Sequence, residues 1–161
     1  MTKCYPVLEH IQHEMLIKFM LDNGLAIVGG YPLYLAGFSP TYSDIDVYTF
    51  NWTQFYNWHK YLDEHGTWQT ATKETAQFLF QGEVYQLVRP CVNQPDVNTL
   101  LEQTDLSASA IALIREEDRL LLKAQYPEDL ENKVCRVLIE HEWTDYRTAS
   151  YEEKGFRIVR T

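Results

Sequence analysis

The order of apolar and polar residues in the first third of the chain predicts two helices and two buried strands. Over residues 8–23 the apolar positions recur at helical spacing, and an Asn-Gly pair suits the end of that helix. The side chains expected near its buried face are Ile11, Met15, Phe19 and Met20. Residues 25–28 and 45–50 are short apolar runs typical of strands, and a proline suits the first turn of a short helix over residues 32–36.

The middle of the chain predicts a helix, a hairpin and a second short helix. Thr53 is a suitable cap for a helix that runs to about Glu64. Residues 75–80 and 83–88 are strand-like and are separated by Gln-Gly, so they predict a hairpin. A proline-containing loop then leads to a short helix over residues 97–103.

The last third is expected to begin with a buried strand. Residues 106–114 are apolar at nearly every position, and residues 119–124 follow an acidic turn as its hairpin partner. The remaining expected elements are helices over residues 127–140 and 145–155 and a strand over residues 156–159.

This mixture of helices with partly hairpin-linked strands favours an α+β fold, in which helices cover mainly one face of a mixed β-sheet. We expect a single domain over residues 1–161, with a core over about residues 8–114 and a C-terminal, mainly helical part over about residues 115–161.

Composition narrows the class of protein. No apolar run approaches the roughly 20 residues of a membrane helix, and the first residues lack a signal-peptide pattern. The cysteines, Cys4, Cys91 and Cys135, are too widely spaced to suggest a disulfide framework or a zinc cluster. We therefore expect a cytoplasmic protein without a membrane partner. The net charge of -9 argues against an extended nucleic-acid footprint, although a local basic patch stays open.

Asp44 and Asp46 are the first candidate for chemistry. Side chains two residues apart on a strand point to the same face, so both carboxylates project together while Ile45 and Val47 enter the core. Two carboxylates this close repel each other unless a cation lies between them, and oxygen ligands of this kind suit Mg²⁺. The alternative is a solvated strand edge.

Gly29 and Gly30 form the second candidate, because they lie between a predicted strand and a helix start. Glycine allows the backbone to approach a phosphate closely, and free N–H groups at a helix start favour an anion. Taken alone, the pair is equally consistent with a tight turn. A phosphate cradle followed by paired carboxylates is, however, the arrangement that nucleotidyl transfer requires.

The sequence resembles the polymerase-beta-like nucleotidyltransferase superfamily in the order of three features: Gly29-Gly30, a short helix and Asp44-x-Asp46. Members of this superfamily carry a third carboxylate on a later strand, and Asp105 in Thr-Asp-Leu-Ser is the best match. The Asp-x-Ser strand and the tail over residues 151–156 resemble small viral and phage-type members, so the protein would act in a host cytoplasm if it is phage-encoded. Two residues depart from the pattern: Tyr31 follows the glycines in place of a hydroxyl or small residue, and Gly30 replaces the serine found in many members.

The resemblance implies a metal-dependent transfer of a nucleoside monophosphate from a nucleoside triphosphate (NTP) to a hydroxyl acceptor. The acceptor would be a protein, an RNA end or a small molecule. The implied ligands of two Mg²⁺ or Mn²⁺ ions are Asp44, Asp46 and Asp105. The implied nucleotide-binding residues are Gly29, Gly30, Ser43, Arg147 and Lys154; further basic candidates are Arg157, Lys60 and Lys73.

Two other functions stay open from the sequence. One is a binding protein of the same fold that has lost turnover, and the second is an acidic interaction protein without a ligand. Convergence of the three aspartates on one point would favour the enzyme, whereas a large apolar surface patch without a cleft would favour the interaction protein.

Overall fold

The computed structural model describes residues 2–7 and 14–160. The strands are β1 (Lys3–Tyr5), β2 (Ala26–Val28), β3 (Asp44–Tyr48), β4 (Thr67–Ala71), β5 (Thr75–Phe80), β6 (Glu83–Val88), β7 (Ile111–Glu116), β8 (Arg119–Ala124), β9 (Val134–Val137) and β10 (Arg157–Arg160). The helices are α1 (Met15–Asp22), α2 (Gly30–Leu35), α3 (Trp52–His65), α4 (Val97–Glu102), α5 (Pro127–Glu131) and α6 (Thr144–Glu153). Ser107–Ser109 forms a 3-10 turn.

Eight of the described strands form one mixed sheet in the order β1-β8-β7-β2-β3-β6-β5-β4. Strands β3 and β6 run parallel, and the other neighbours in this sheet run antiparallel. Strands β9 and β10 form a separate parallel pair. None of the helices within residues 2–7 and 14–160 is both long and apolar enough to cross a bilayer.

The two faces of the sheet are covered unequally. On one face, Ile27, Ile45 and Val47 pack with side chains of α1, α2 and α3 in the largest apolar cluster. The opposite face has a smaller cluster, in which Val28 packs with Leu100 of α4. The α+β prediction, with helices mainly on one face, is therefore confirmed. Strand alternation places Asp44 and Asp46 on the less covered face.

Several elements form where the local pattern predicts them. The hairpin of β5 and β6 turns through Gln81 and Gly82, whose φ angles of 50° and 80° both lie in the left-handed region. Such two-residue turns match the twist of antiparallel strands, and here the turn pins the register of the hairpin. Helices α2, α4 and α6 and the hairpin of β7 and β8 are likewise present.

The predicted buried face of the first helix is correct for Met20 and wrong for Met15 and Phe19. Met15 and Phe19 are 65% and 49% exposed. The side chains that enter the core from α1 are Leu16, Ile17, Met20 and Leu21. Both faces of the helix carry apolar residues, so helical spacing alone did not separate the exposed Met15 and Phe19 from the buried side chains. Ile11 and the first part of the predicted helix lie outside the described residues.

Three further predictions are corrected. Asn51 caps α3 in place of Thr53, because its Oδ1 accepts a hydrogen bond of 2.8 Å from the N–H of Gln54. The run 106–114 is not one strand, since the 3-10 turn precedes β7 and Ser109 Oγ donates to the carbonyl of Leu106 at 2.9 Å.

The helix predicted over residues 127–140 ends at Glu131. Lys133 has a φ of 56°, which reverses the chain, and Val134–Val137 then pairs with β10 as a strand. The part of the chain from residue 115 onward therefore contains β8, β9 and β10 as well as two helices.

Candidate functional site

A cleft of about 700 Å³ lies on the less covered face of the sheet. It lies between the ends of β2, β3 and β6 and the helices α4 and α6. Five of the sequence-predicted residues line it: Gly29, Gly30, Asp46, Asp105 and Arg147. The lining also contains Lys73, named above as a further basic candidate.

The glycine pair forms one wall of the cleft. Gly29 has a φ of 95°, a conformation that only glycine adopts readily, and it is the residue immediately before α2. A Cβ atom at Gly29 would lie 4.0 Å from Asp46 Oδ2, and one at Gly30 would lie 3.5 Å from Lys154 Nζ. The turn therefore brings the backbone directly against a carboxylate and a cation.

The amide of Gly29 has a structural partner, because it donates to the carbonyl of Ile111 at 3.0 Å. The carbonyl of Gly29 accepts the N–H of Leu33 at 3.1 Å, which closes the first turn of α2. Gly29 can thus offer a phosphate close approach, whereas an N–H contact would come from Gly30 at the first helical position.

Asp46 is the most unusual carboxylate of the cleft. Its Oδ1 atom is buried and has no hydrogen-bond partner among the described residues. Burial and the neighbouring Asp44 raise the pKa of Asp46 to about 6, although Arg147 and Lys154 oppose the rise. Burial also raises the pKa of Asp44. A buried carboxylate oxygen without a partner beside a second carboxylate is the environment that a bound cation would relieve.

A row of side-chain amides crosses the sheet towards Asp44. Gln86 Nε2 donates to Asp44 Oδ2 at 3.2 Å and to Gln77 Oε1 at 3.0 Å. Gln77 Nε2 then donates to Gln69 Oε1 at 2.9 Å. The row therefore fixes the Asp44 carboxylate through a hydrogen bond from β6, and its three glutamines lie on three different strands. Sequence reasoning missed it, although polar Gln77 and Gln86 alternate with buried residues along β5 and β6.

Asp105 is tied to the C-terminal part of the chain. Arg147 donates from Nε to Oδ2 at 2.7 Å and from Nη2 to Oδ1 at 2.9 Å. The N–H of Trp143 donates to His141 Nδ1 at 3.1 Å, so His141 Nε2 carries the proton that it donates to Asp105 Oδ2 at 2.7 Å. Burial alone would raise the pKa of Asp105, but the hydrogen bonds from Arg147 and His141 outweigh it and lower that pKa.

The three predicted carboxylates do not form a metal-binding group, although Asp46 and Asp105 line the same cleft. In the described part of the chain, no three His, Cys, Asp or Glu side chains are grouped so that they could hold a metal ion. Both oxygens of Asp105 accept hydrogen bonds from Arg147, so a direct metal contact would require Asp105 to leave that partner. Its assignment as a third ligand stays a prediction.

The predicted basic residues divide into two groups. Arg147 and Lys154 act on Asp46 electrostatically, and Lys154 Nζ also lies 4.9 Å from the ring centre of Tyr151. The second group consists of Lys60 and Arg157, which are exposed and do not line the cleft. The same holds for Ser43, the predicted nucleotide-binding hydroxyl.

Tyr48 and Arg89 are two of the cleft residues that were not identified from the sequence. Tyr48 shares a face of β3 with the carboxylates, and burial together with Asp46 raises its pKa to about 12. Arg89, at the end of β6, donates from Nη1 to the carbonyl of Thr72 at 2.7 Å. The alternation of β3 accounts for the direction of Tyr48, whereas the position of Arg89 depends on a loop contact.

The arrangement of helices and strands described above is similar to that of solved CCA-adding enzymes. No protein family profile and no curated protein matches the sequence. Solved structures do match. A CCA-adding enzyme in complex with ATP superposes with a TM-score of 0.66 over 98% of this chain and 43% of that one, at 18% identity.

Two further structures give the same result. The Thermotoga maritima CCA-adding enzyme complexed with tRNA has a TM-score of 0.63 at 19% identity, over 99% of this chain and 44% of that one. A CCA-adding enzyme with CTP has a TM-score of 0.61 at 20% identity, over 96% of this chain and 43% of that one. This chain spans less than half the length of these enzymes. The likeness establishes the nucleotidyltransferase-like fold, while the viral or phage-type resemblance stays a prediction.

Proposed function

We propose that this protein transfers a nucleoside monophosphate from an NTP to a hydroxyl acceptor within the cleft described above. The observation that carries the proposal is the buried Oδ1 of Asp46, which lacks a hydrogen-bond partner among the described residues and lies beside the glycine turn. A carboxylate in this position is destabilised in the free protein, so the site favours a cation and the phosphates that accompany it.

The donor set of Asp44 and Asp46 fits a divalent metal ion. Both groups are carboxylates on one face of β3, and Mg²⁺ is usually held by one or two carboxylates together with substrate phosphates. The chemistry that Mg²⁺ or Mn²⁺ would supply there is neutralisation of the triphosphate charge and polarisation of the phosphoryl group.

The protein's own groups would position the triphosphate. Gly29 lets the backbone approach it closely, and the amide of Gly30 is placed to donate to a phosphate oxygen. Lys154 and Arg147 add positive charge beside Asp46. Asp105 would act here through Arg147, because its two hydrogen bonds fix the guanidinium at the edge of the cleft.

The acceptor is proposed only as a hydroxyl compound. The structurally similar enzymes have been solved with CTP, ATP and tRNA, which supports an NTP and leaves nucleic acid among the acceptor classes. The net charge of -9 means that any nucleic-acid contact would depend on local cations, of which Lys73, Arg89 and Arg147 line the cleft.

One observation favours a second candidate, a nucleotide-binding protein of this fold without turnover. Asp105 is held by Arg147 and His141 and does not join Asp44 and Asp46, so a two-metal site would lack its third carboxylate. Such a protein would still bind an NTP through the glycine turn and the paired carboxylates.

The test begins with calorimetric binding of each NTP in the presence of Mg²⁺ or Mn²⁺, run beside Asp46→Asn. Metal-dependent binding that is lost in the variant supports the site. The binding-competent protein is then incubated with α-labelled NTP and with RNA, protein or small-molecule acceptors. Covalent label on an acceptor supports the enzyme, and tight binding without any transfer supports the second candidate. A folded wild-type protein that binds no NTP contradicts both.

A further inference from the structure

Two large aromatic side chains lie exposed at the start of α3. Trp52 is 49% exposed and Tyr56, one turn further along the helix, is 64% exposed. Their ring centres are 5.6 Å apart and their planes are inclined by 30°. We refer to these two residues as the aromatic pair. Exposed aromatic area of this size gains free energy when a flat apolar group covers it.

The aromatic pair begins inside the same cleft as the carboxylates. Trp52 lines the cleft together with Gly30 and Asp46, whereas Tyr56 continues beyond it along α3. Trp52 lies six positions after Asp46 in the chain, which limits the distance between their Cα atoms to roughly 20 Å. The cleft volume of about 700 Å³ lies within the range of sites that hold one small molecule. A single nucleotide anchored at the glycine turn can therefore extend towards Trp52.

Trp52 packs against an aromatic neighbour, and a guanidinium lies close to that neighbour. Its ring packs edge-on against Phe55, at a centre-to-centre distance of 5.7 Å. The guanidinium of Arg89 lies 5.2 Å from the ring centre of Phe55 and donates to the carbonyls of Thr72 and Thr75 at 2.7 and 3.3 Å. These contacts fix both the aromatic wall and a positive charge beside it, which suits the ribose and phosphate side of a nucleotide.

We propose that Trp52 is the base-binding residue of the cleft and stacks on the nucleobase of the bound nucleotide. This inference rests on the proposed function, because it takes the triphosphate to lie at Gly29 and Gly30. Stacking uses the flat face of a base and requires no matching hydrogen-bond pattern. The cleft would therefore accept all four NTPs and bind purines modestly more tightly than pyrimidines, since purines have the larger ring surface.

The chain offers a matched control for this proposal. Trp68 on β4 is 51% exposed, close to the value for Trp52, but it does not line the cleft. Trp68→Ala therefore removes the same exposed side chain from another part of the surface. Trp52→Phe keeps a flat ring in place, which separates the loss of stacking from a general disturbance of α3.

The experiment measures binding of ATP and of inorganic tripolyphosphate, both with Mg²⁺, by calorimetry. Tripolyphosphate carries the phosphates without a base. Trp52→Ala is expected to weaken ATP binding roughly 10- to 100-fold, the usual effect of removing one stacked aromatic group, and to leave tripolyphosphate binding unchanged. Trp52→Phe should restore most of the ATP affinity, and Trp68→Ala should change neither ligand.

Each other outcome contradicts the proposal in a distinguishable way. If wild-type protein binds ATP and Trp52→Ala binds it equally well, the stacking role is wrong while the nucleotide site stands. If Trp52→Ala weakens tripolyphosphate as much as ATP, Trp52 only supports the fold of the cleft. If that variant loses only the binding of a single-stranded oligonucleotide, the aromatic pair belongs to an acceptor. A wild-type protein that binds neither ATP nor tripolyphosphate overturns the proposed function itself.

Discussion

Replacing Asp46 by asparagine should make the metal-free protein more stable and at the same time abolish its nucleotide site. The ordinary pKa of an aspartate side chain is 3.8, and in the folded protein the pKa of Asp46 rises to about 6. The folded state therefore binds this proton more tightly than the unfolded state does. It follows that the stability contributed by protonated Asp46 is present below pH 4 and is lost as the pH rises through about 6.

The size of the effect follows from the two pKa values. Each tenfold change in proton affinity corresponds to about 1.36 kcal/mol, so the ionised Asp46 costs the folded state about 3 kcal/mol at pH 8. Asparagine has nearly the same shape and carries no charge at any pH. Asp46→Asn should therefore be about 3 kcal/mol more stable at pH 8, or roughly 6 to 12 °C higher in Tm, and equal to wild type near pH 4.

The assay is thermal and urea unfolding in chelator-treated buffer at pH 4.5, 6 and 8, followed by circular dichroism. Asp63→Asn removes a charge from an exposed position of α3 and serves as the matched control, with an expected change below about 0.5 kcal/mol. Mn²⁺ with NTP should then raise the Tm of wild type and leave that of Asp46→Asn unchanged. A variant that is less stable than wild type at pH 8, or a difference that does not grow with pH, would refute the reasoning.

Three further predictions concern the same cleft. Since Asp46 must lose its proton to bind a cation, the Mn²⁺ affinity measured by titration should fall about tenfold per pH unit below pH 6 and should be constant above pH 6. An affinity that is unchanged between pH 5 and 7 would contradict the role of Asp46 as a ligand. Gln86→Leu removes the hydrogen bond to Asp44 and should weaken Mn²⁺ binding roughly tenfold or more. Gln77→Leu, one strand further away, should have a smaller effect in the same titration. Equal affinities in wild type and Gln86→Leu would exclude a positioning role for Gln86. Gly29→Ala should lower the free energy of unfolding in urea by about 1 to 3 kcal/mol, because Gly29 has a φ of 95°. Gly30→Ala, at a position that needs no such conformation, should leave the free energy of unfolding nearly unchanged. Equal decreases in the two variants would point to steric contact instead.

The parts of the fold that sequence analysis predicted are those governed by neighbouring residues. The Gln-Gly turn dictates the hairpin of β5 and β6 through two positive φ angles, and the alternation of β3 dictates that Asp44 and Asp46 share a face. The nucleotidyltransferase-like fold was expected from a family resemblance, carried by Gly29-Gly30 followed by Asp44-x-Asp46.

The parts that escaped prediction depend on contacts between distant residues. His141 and Arg147 reach Asp105 across 36 and 42 residues, so the pairing that occupies its carboxylate has no local signature. The row of amides leading to Asp44 exists only once β4, β5, β6 and β3 have paired. Strands β1 and β4 lie at the two edges of the sheet, and exposed edge strands lack the apolar pattern on which strand prediction relies.

The strand order also determines when during synthesis the cleft can form. Strand β7, which ends at Glu116, lies between β2 and β8, and Gly29 donates to its first residue. The glycine turn therefore lacks its support until β7 has left the ribosome, and Arg147 joins Asp105 later still. At roughly 5 to 20 residues per second, the nascent chain spends several seconds with the edge of β2 that pairs with β7 left unpaired. A product truncated before residue 147 would retain both carboxylates of β3 and lack the guanidinium that Asp105 holds at the edge of the cleft.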